Sequence, residues 1–144
     1  MKLGSKTHYG VLALAELASN YKTRRPLQVK EIAASQRIPP EYLGQIMVLL
    51  NRARLVHGAR GPGGGYVLAR APEHITLREA IEVLEGPLMG FDMRLRRAGG
   101  RASTATQKLI EAWARGITAM EKALEETMLA DLCGADQPAY MYYI

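Results

Sequence analysis

Residues 55–69, LVHGARGPGGGYVLA, decide the fold of this chain. Two short apolar runs, Leu55-Val56 and Tyr66-Val67-Leu68, flank a tip that holds Arg60, one proline and four glycines. Paired apolar runs bounded by glycine and proline are typical of a β-hairpin with a longer loop. The stretch therefore predicts a hairpin with a slender, basic tip.

A phosphate-binding loop is the first alternative for this glycine-rich segment. In such a loop a Lys-Ser or Lys-Thr pair follows the glycines, and the N-terminus of a helix holds the phosphate. Here Tyr66-Val67-Leu68 follows instead, and no helical pattern opens after it. An ordinary surface hairpin is the other alternative, and the residues around the hairpin decide between these interpretations.

Length and composition limit the class of protein. A chain of 144 residues, 48% of them hydrophobic, fits one domain, or one domain with an appended helix. No apolar run approaches the roughly 20 residues that a membrane helix needs. The N-terminus lacks the apolar stretch of a signal peptide, and the single cysteine excludes an internal disulfide. We therefore expect a cytoplasmic protein with no membrane partner.

The net charge of +5 is unevenly distributed along the chain. Residues 1–72 contain 11 basic and 3 acidic residues, whereas residues 73–144 contain 8 basic and 11 acidic residues. A basic half that includes the hairpin predicts a polyanionic partner. A charged surface that only keeps the protein soluble is the alternative.

Three helical segments are predicted before the hairpin. The first runs from about residue 5 to 20, the second from 29 to 36, and the third opens at Pro39-Pro40-Glu41. Proline at a first helical position loses no intrahelical hydrogen bond, and a glutamate in the first turn suits the helix dipole. Two short helices separated by a tight turn and followed by a basic hairpin are typical of a winged helix-turn-helix. The predicted fold is mainly α, with a small β-hairpin wing and a long dimerisation helix.

Candidate DNA contacts follow from this pattern. A helix fits the major groove, where Gln45 suits adenine and Glu41 suits cytosine, while Tyr42 suits phosphate or sugar. Arg60 at the wing tip suits a narrow minor groove. Ordinary solvent-facing side chains are the alternative. The predicted DNA-binding residues are Lys6, Thr7, Tyr9, Glu41, Tyr42, Gln45, Arg52, Arg60, Gly61, Gly63, Gly64 and Arg70.

A helix after the wing has clear boundaries, because Thr76 and Glu79 have capping-box spacing and Gly86-Pro87 is a stop signature. A long helix is then predicted over residues 103–132. Its apolar residues recur every three or four positions, as a helical stripe requires. A small domain cannot bury such a stripe alone, so we expect a homodimer on a palindromic operator; packing within one chain is the alternative. The stripe comprises Leu109, Trp113, Ile117, Met120, Leu124 and Met128.

These boundaries predict four regions. Residues 1–86 form the winged helix-turn-helix DNA-binding domain, and residues 87–102 form a linker or sensor loop. Residues 103–133 form the dimerisation helix, and residues 134–144 form a tyrosine-rich tail.

The chain resembles the IscR/NsrR/CymR family of bacterial winged-helix transcription regulators. The resemblance covers the chain to about residue 133 and implies a homodimeric DNA-binding repressor or activator. It also implies that Tyr42 and Gln45 lie in the major groove and Arg60 in the minor groove. Gly44 stands where family members often have an acidic residue, so their target sequence does not transfer. The matching stretches are MKLGSKTHYGVLAL, LQVKEIAASQRI, PPEYLGQIMVLLNRARLV, RGPGGGYVLAR, ITLREAIEVLEG and TMLADLC.

Members of this family that bind an iron–sulfur cluster have three cysteines between the capping-box helix and the long helix. The corresponding span here, GPLMGFDMRLRRAGGRASTATQK, has none, and a cluster needs thiolate ligands. His8, His57 and His74 show no ligand spacing. We therefore expect no metal and no cofactor. Cys133 is a redox sensor if exposed, or a buried small residue at a helix end.

The resulting functional hypothesis is a homodimeric, sequence-specific transcription regulator, most simply a repressor. By analogy with cluster-free members, it would respond to a metabolite, a redox signal or a partner enzyme. The alternative is a protein-interaction module of the same fold without specific operator readout. An enzyme is not expected, because the sequence shows no nucleophile–base pair, paired carboxylates or metal set.

Overall fold

Helices dominate the described part of the chain, which comprises residues 2–88 and 102–133 of the computed structural model. Short 3₁₀ turns lie at Tyr21–Thr23 and Pro72–His74. The predicted tail and most of the predicted sensor loop lie outside the described residues. The elements are α1 (Ser5–Ser19), α2 (Val29–Gln36), α3 (Pro40–Arg52), β1 (Val56–Ala59), β2 (Gly65–Leu68), α4 (Leu77–Glu85), α5 (Thr104–Glu126) and α6 (Leu129–Leu132).

One hydrophobic core joins α1, α2 and α3. The buried side chains of α3 recur at helical spacing, so they form a single stripe along that helix. Leu14 of α1 and Ile32 of α2 lie in the same core and are also fully buried. The buried residues of α3 are Leu43, Ile46, Met47 and Leu50.

Both α2 and α3 end with an arginine in the left-handed backbone conformation. Arg37 has φ 56° and Arg54 has φ 61°. The N–H of the following residue, Ile38 or Leu55, donates to the carbonyl five residues back, at 2.9 and 3.0 Å respectively. This bond defines a Schellman motif, in which glycine is the usual left-handed residue. Ile38 and Leu55 are buried, so these two motifs fix the direction in which the chain enters and leaves α3.

The predicted hairpin is confirmed. β1 and β2 pair antiparallel, with Val56 opposite Leu68 and Ala59 opposite Gly65. Leu27 adds a further pairing at the outer edge of β2, since its N–H donates to the Tyr66 carbonyl at 3.0 Å and its carbonyl accepts the Tyr66 N–H at 2.8 Å. The segment before α2 therefore supports the wing.

The start and end of α4 follow the predicted signals. The Thr76 hydroxyl accepts the Glu79 N–H at 3.0 Å, and Gly86 with φ 89° ends the helix. On the exposed side, Arg78 contacts Glu121 and Glu125 of α5 at 3.5 Å each, so charge pairs join these two helices. None of the helices in the described ranges is long and apolar enough to cross a membrane.

The long C-terminal helix departs from its prediction. α5 ends at Glu126, and Thr127 and Met128 are extended before α6 begins. The Thr127 carbonyl accepts the Leu77 N–H at 2.7 Å, and the Leu129 N–H donates to Ile75 at 2.9 Å. The expectation of one helix over residues 103–132 is therefore wrong, because backbone pairing with the start of α4 interrupts it.

A carboxylate joins the first and fourth helices. Glu85 Oε1 accepts the Thr7 hydroxyl at 2.5 Å and the Gly4 N–H at 3.2 Å. The pKa of Glu85 lies below its ordinary value of 4.5, chiefly because Thr7 donates to the ionised form, with further contributions from the Gly4 N–H and the charge of Lys6. Ionised Glu85 therefore favours the folded state.

This carboxylate predicts a pH-dependent part of the stability. Because the folded-state pKa is below the unfolded value, the stabilisation is present above that unfolded value and is lost as pH falls through the folded-state pKa. At neutral pH we expect Glu85→Gln to lower the free energy of unfolding by about 0.5–1 kcal/mol, the value for a charged hydrogen bond discounted for solvent exposure. Urea unfolding at a series of pH values measures the difference from wild type.

The difference between wild type and Glu85→Gln should shrink steadily as the solution is acidified. Thr7→Val removes the main donor and should reduce the same pH-dependent difference, which makes it the matched control. A wild-type advantage that stayed constant down to acid pH would contradict the assignment.

Candidate nucleic-acid interface

The face of α3 opposite its buried stripe is solvent-exposed. Its four residues, at spacings of four, three and four, lie on one side of a helix. This face presents a carboxylate, an amide, a branched apolar side chain and a guanidinium to solvent. The residues are Glu41, Gln45, Val48 and Arg52.

Two predicted contact residues, Tyr9 and Tyr42, pack on each other. Their ring centroids are 5.9 Å apart and the rings are nearly perpendicular, at 79°. Both are half-buried against the core. The pair joins the first turns of α1 and α3, so it sets the position of the N-terminal end of α3.

Thr7 does not belong to this surface. It is 0% exposed, and its hydroxyl is held by Glu85. The prediction that Thr7 contacts DNA is therefore wrong. Lys6, its neighbour in the same helical turn, is half-buried and keeps part of its surface in solvent.

The wing tip is a tight turn that exposes one guanidinium. Gly61 has φ 98°, and its carbonyl accepts the Gly64 N–H at 2.8 Å. Arg60, Gly61 and Gly63 are exposed, whereas Gly64 is buried. A Cβ on Gly64 would lie only 2.4 Å from the Ala59 carbonyl oxygen, so Gly64 closes the turn. Because Gly64 is buried, it offers little surface of its own for the predicted DNA contact.

A cleft of about 470 Å³ separates the wing from the start of α2 and the end of α3. Gln28, Asn51 and Arg60 lie on its three sides. Glu31 caps α2 beside it, accepting the Gln28 N–H at 2.8 Å and the Arg25 guanidinium at 2.9 Å. Both hydrogen bonds lower the pKa of Glu31, and the one from the Gln28 backbone N–H has the larger effect. The cleft therefore places the C-terminal end of α3, at Asn51, next to the wing tip.

Arg70, the last predicted DNA contact, lies at the foot of the wing. Its guanidinium pairs with Glu79 of α4 at 2.5 Å, and both side chains are partly exposed. A phosphate at this position would compete with that carboxylate.

The apolar stripe of the long helix divides into two parts. Ile117 is 6% exposed, and Met120 and Leu124 are half-buried, on the part of α5 that packs against α4. Closer to the start of α5, Leu109 is 60% exposed and Trp113 is 41% exposed. The predicted sixth member, Met128, is not on this helix, because it lies in the extended segment between α5 and α6. Packing within one chain therefore accounts for only part of the stripe.

The family model described as "Rrf2: Iron-dependent Transcriptional regulator" matches residues 3–135. The chain belongs to the Rrf2 family. Among curated relatives, the HTH-type transcriptional regulator CymR of Bacillus subtilis is 34% identical over 147 residues, covering 100% of both chains. The regulator IscR of Cereibacter sphaeroides is 36% identical over 134 residues, covering 92% of this chain and 86% of that protein.

Solved structures of Rrf2 regulators have the same architecture. B. subtilis CymR, described as the global cysteine regulator, has a TM-score of 0.78 at 33% identity, covering 92% of this chain and 96% of that chain. T. potens IscR has a TM-score of 0.75 at 32% identity, covering 99% and 97%. The winged-helix fold with a long C-terminal helix, and the class of DNA-binding transcription regulators, are thereby confirmed.

The iron dependence in the Rrf2 family description can be tested against the donors of this chain. Cys133 is the one cysteine in the sequence; it is half-buried against the core, with its thiol 3.3 Å from the Leu129 carbonyl. Among the described residues no three His, Cys, Asp or Glu side chains converge into a group that would hold a metal ion. One thiol does not fit a thiolate-ligated iron–sulfur cluster.

The sequence prediction missed arginines in the left-handed conformation. Arg24, Arg37 and Arg54 are the non-glycine residues with positive φ in the described segments, and all three are exposed. A Cβ makes this conformation unfavourable by about 1–2 kcal/mol, so glycine would be easier to accommodate at each position. The sequence did offer one indication: both helices end without the glycine that commonly follows a helix, so another residue had to adopt the left-handed conformation. Three guanidiniums at strained turns enlarge the basic surface of the first half of the chain.

The wing-tip geometry predicts that two neighbouring glycines differ in their tolerance of a side chain. Gly64→Ala should destabilise the wing by about 1–3 kcal/mol, the usual cost of overpacking, because its Cβ meets backbone oxygens. Gly63→Ala is the matched control, since a Cβ there meets nothing within 4 Å. Exchange of the amide hydrogen of residue 64, which bonds to the Gly61 carbonyl, reports the opening of the wing tip. Faster exchange in both variants, or in neither, would contradict the proposed closure.

Proposed function

We propose that this Rrf2 protein is a cytoplasmic homodimeric repressor that binds a palindromic operator, and that it acts as a regulator and not as an enzyme. The observation that carries the proposal is the shared surface of α3 and the wing. Asn51, near the C-terminal end of α3, and Arg60 of the wing line the same cleft, in the half of the chain with 11 basic and 3 acidic residues. A helix and a slender basic tip on one surface suit adjacent major and minor grooves.

Each exposed group on this surface has a chemical role in the proposal. Gln45 presents an amide for the adenine edge and Glu41 a carboxylate for the cytosine amino group, while Arg52 contacts phosphate. Arg60 enters the minor groove, where the potential is most negative when the groove is narrow. Tyr42 contacts the backbone while Tyr9 supports its ring from behind.

The exposed start of α5 supports the dimer. Leu109 and Trp113 are large apolar side chains that stay partly in solvent in the single chain. A second copy of α5 would cover them in a symmetric interface. Such a dimer places two α3 helices on successive half-sites, which is why we propose a palindromic operator.

A cavity of about 500 Å³ beside the wing suits a small effector. Leu17 and Val67 supply apolar walls, and Lys22 and Arg24 supply positive charge. Because β2 forms one wall, an anionic metabolite bound there would change the position of the wing. The relative described as a global cysteine regulator makes sulfur metabolites the first candidates. Cys133 offers a thiol for a redox signal, and a partner enzyme is the remaining possibility.

The wing role is tested by Arg60→Ala. Removing a groove contact should weaken specific operator binding by about 1–3 kcal/mol, measured by titration at fixed salt. Arg115→Ala serves as the control, because it also removes one positive charge but lies on the exposed surface of α5, outside α3 and the wing. Equal losses in the two variants would show that only net charge matters.

Selection of bound fragments from genomic DNA, with and without a panel of sulfur metabolites, tests the function as a whole. Recovery of a palindromic sequence is the expected result. Affinity no higher than for random DNA would instead favour a protein-interaction module of the same fold.

The dimer is tested at Leu109. A charge in an apolar interface is unfavourable unless it is paired, so Leu109→Glu should shift the protein towards monomer in sedimentation equilibrium. Gln107→Glu adds the same charge at another exposed position of the same helix and should leave the dimer intact. Wild type that sediments as a monomer at micromolar concentration would contradict the proposed interface.

A further inference from the structure

A glycine lies inside α3 where the folded chain does not require one. A Cβ added to Gly44 would meet nothing within 4 Å. Its φ is not among the positive values, so its backbone is one that any residue adopts. Glycine is among the least favourable residues in a helix interior, and alanine would fit here without a clash. Nothing in the part of the chain that the structure describes therefore requires a glycine at this position.

An apolar side chain lies one helical turn further along the same side. Val48 is 44% exposed although the core of the protein takes up the opposite face of α3. It stands between Gln45 and Arg52 on the exposed face, and residues four apart on a helix are neighbours, so Gly44 and Val48 are adjacent. Together they form a strip without polar side-chain atoms on a helix face that is otherwise polar.

We propose that Gly44 and Val48 form a methyl-binding strip that packs on the C5-methyl group of a thymine, so that each operator half-site requires a thymine at one position. The inference rests on the proposed function, which places α3 in the major groove. Thymine is the base that presents a methyl group there, and an apolar side chain is its usual contact. The absent side chain of Gly44 lets the helix backbone approach closely enough for Val48 to reach that methyl.

The neighbouring residues agree with this assignment. Gln45 follows Gly44 directly, and its amide suits adenine, the partner of thymine. Leu49 is also exposed, at 37%, but it follows Val48 by one residue and therefore points about 100° away around the helix. Val48 and Leu49 thus form a matched pair: both are exposed and apolar, but only Val48 lies beside Gly44.

Deoxyuridine substitution tests the strip directly, because uracil differs from thymine only by the methyl group. Each thymine of the selected operator is replaced by deoxyuridine in turn, and binding of the full-length dimer is titrated at fixed salt. We expect one symmetry-related position at which the substitution weakens binding about fourfold per half-site, the effect of losing one buried methyl group. Val48→Ala should abolish this position-specific loss, whereas Leu49→Ala should retain it.

Gly44→Ala provides a second readout with effects of opposite sign. The variant should melt a few degrees higher, because alanine is the better helix former. It should also bind the operator about tenfold more weakly, on the scale of a lost base contact. A higher melting temperature with unchanged operator affinity would overturn the role of Gly44.

The outcomes separate the strip from the function on which it rests. If Arg60→Ala and Gln45→Ala weaken specific binding but no deoxyuridine position does, the strip is wrong and the operator-binding proposal stands. Persistence of the deoxyuridine effect in Val48→Ala would also overturn the strip. Absence of any preference for an operator over random DNA would overturn both proposals.

Discussion

Burial of one face of α3 is the constraint on which the rest of this structure depends. Leu43, Ile46, Met47 and Leu50 hold that face in the core with at most 1% exposure each. A helix has one face opposite its buried stripe, so fixing the first fixes the second. The Tyr9–Tyr42 contact and the two Schellman turns then set where α3 begins and ends. The surface offered to a groove is therefore a consequence of core packing.

Three residues in or beside α3 differ from the residue type that their backbone conformation favours. Arg37 and Arg54 place a large side chain where the backbone favours glycine, and Gly44 places a glycine where a helix favours a side chain. Each substitution towards the local preference would be expected to stabilise the fold. Sequences that specify a fold are locally consistent except where function requires otherwise. Gly44 lies on the helix proposed to enter the major groove, and Arg37 and Arg54 flank that helix, so the exceptions agree with a cost in stability that serves binding.

Signals confined to a few neighbouring residues predicted structure well. The hairpin, α2, the start of α3 at Pro40 and the Thr76 cap all depend on residues close in sequence, and all are confirmed. The failures involve distant partners. Thr7 is buried and donates to Glu85, which is 78 residues away, and the helix predicted over 103–132 is interrupted by pairing with residues 75–77. Helical periodicity does not register a partner strand or a distant carboxylate, so neither result was accessible from the sequence.

The candidate site also has features that follow from neighbouring residues and features that depend on distant ones. Exposure of Gln45 and Arg60 follows from local patterns, but the ion pair between Arg70 and Glu79 depends on how α4 packs. The cluster ligands are a stronger case, because the Rrf2 fold persists here in a chain with one cysteine. In the proposed function, the cavity beside β2 is the route by which a bound ligand would act on the wing. Val67 lines that cavity and pairs with His57 of β1, so a ligand in the cavity would contact the same hairpin that carries Arg60 at its tip.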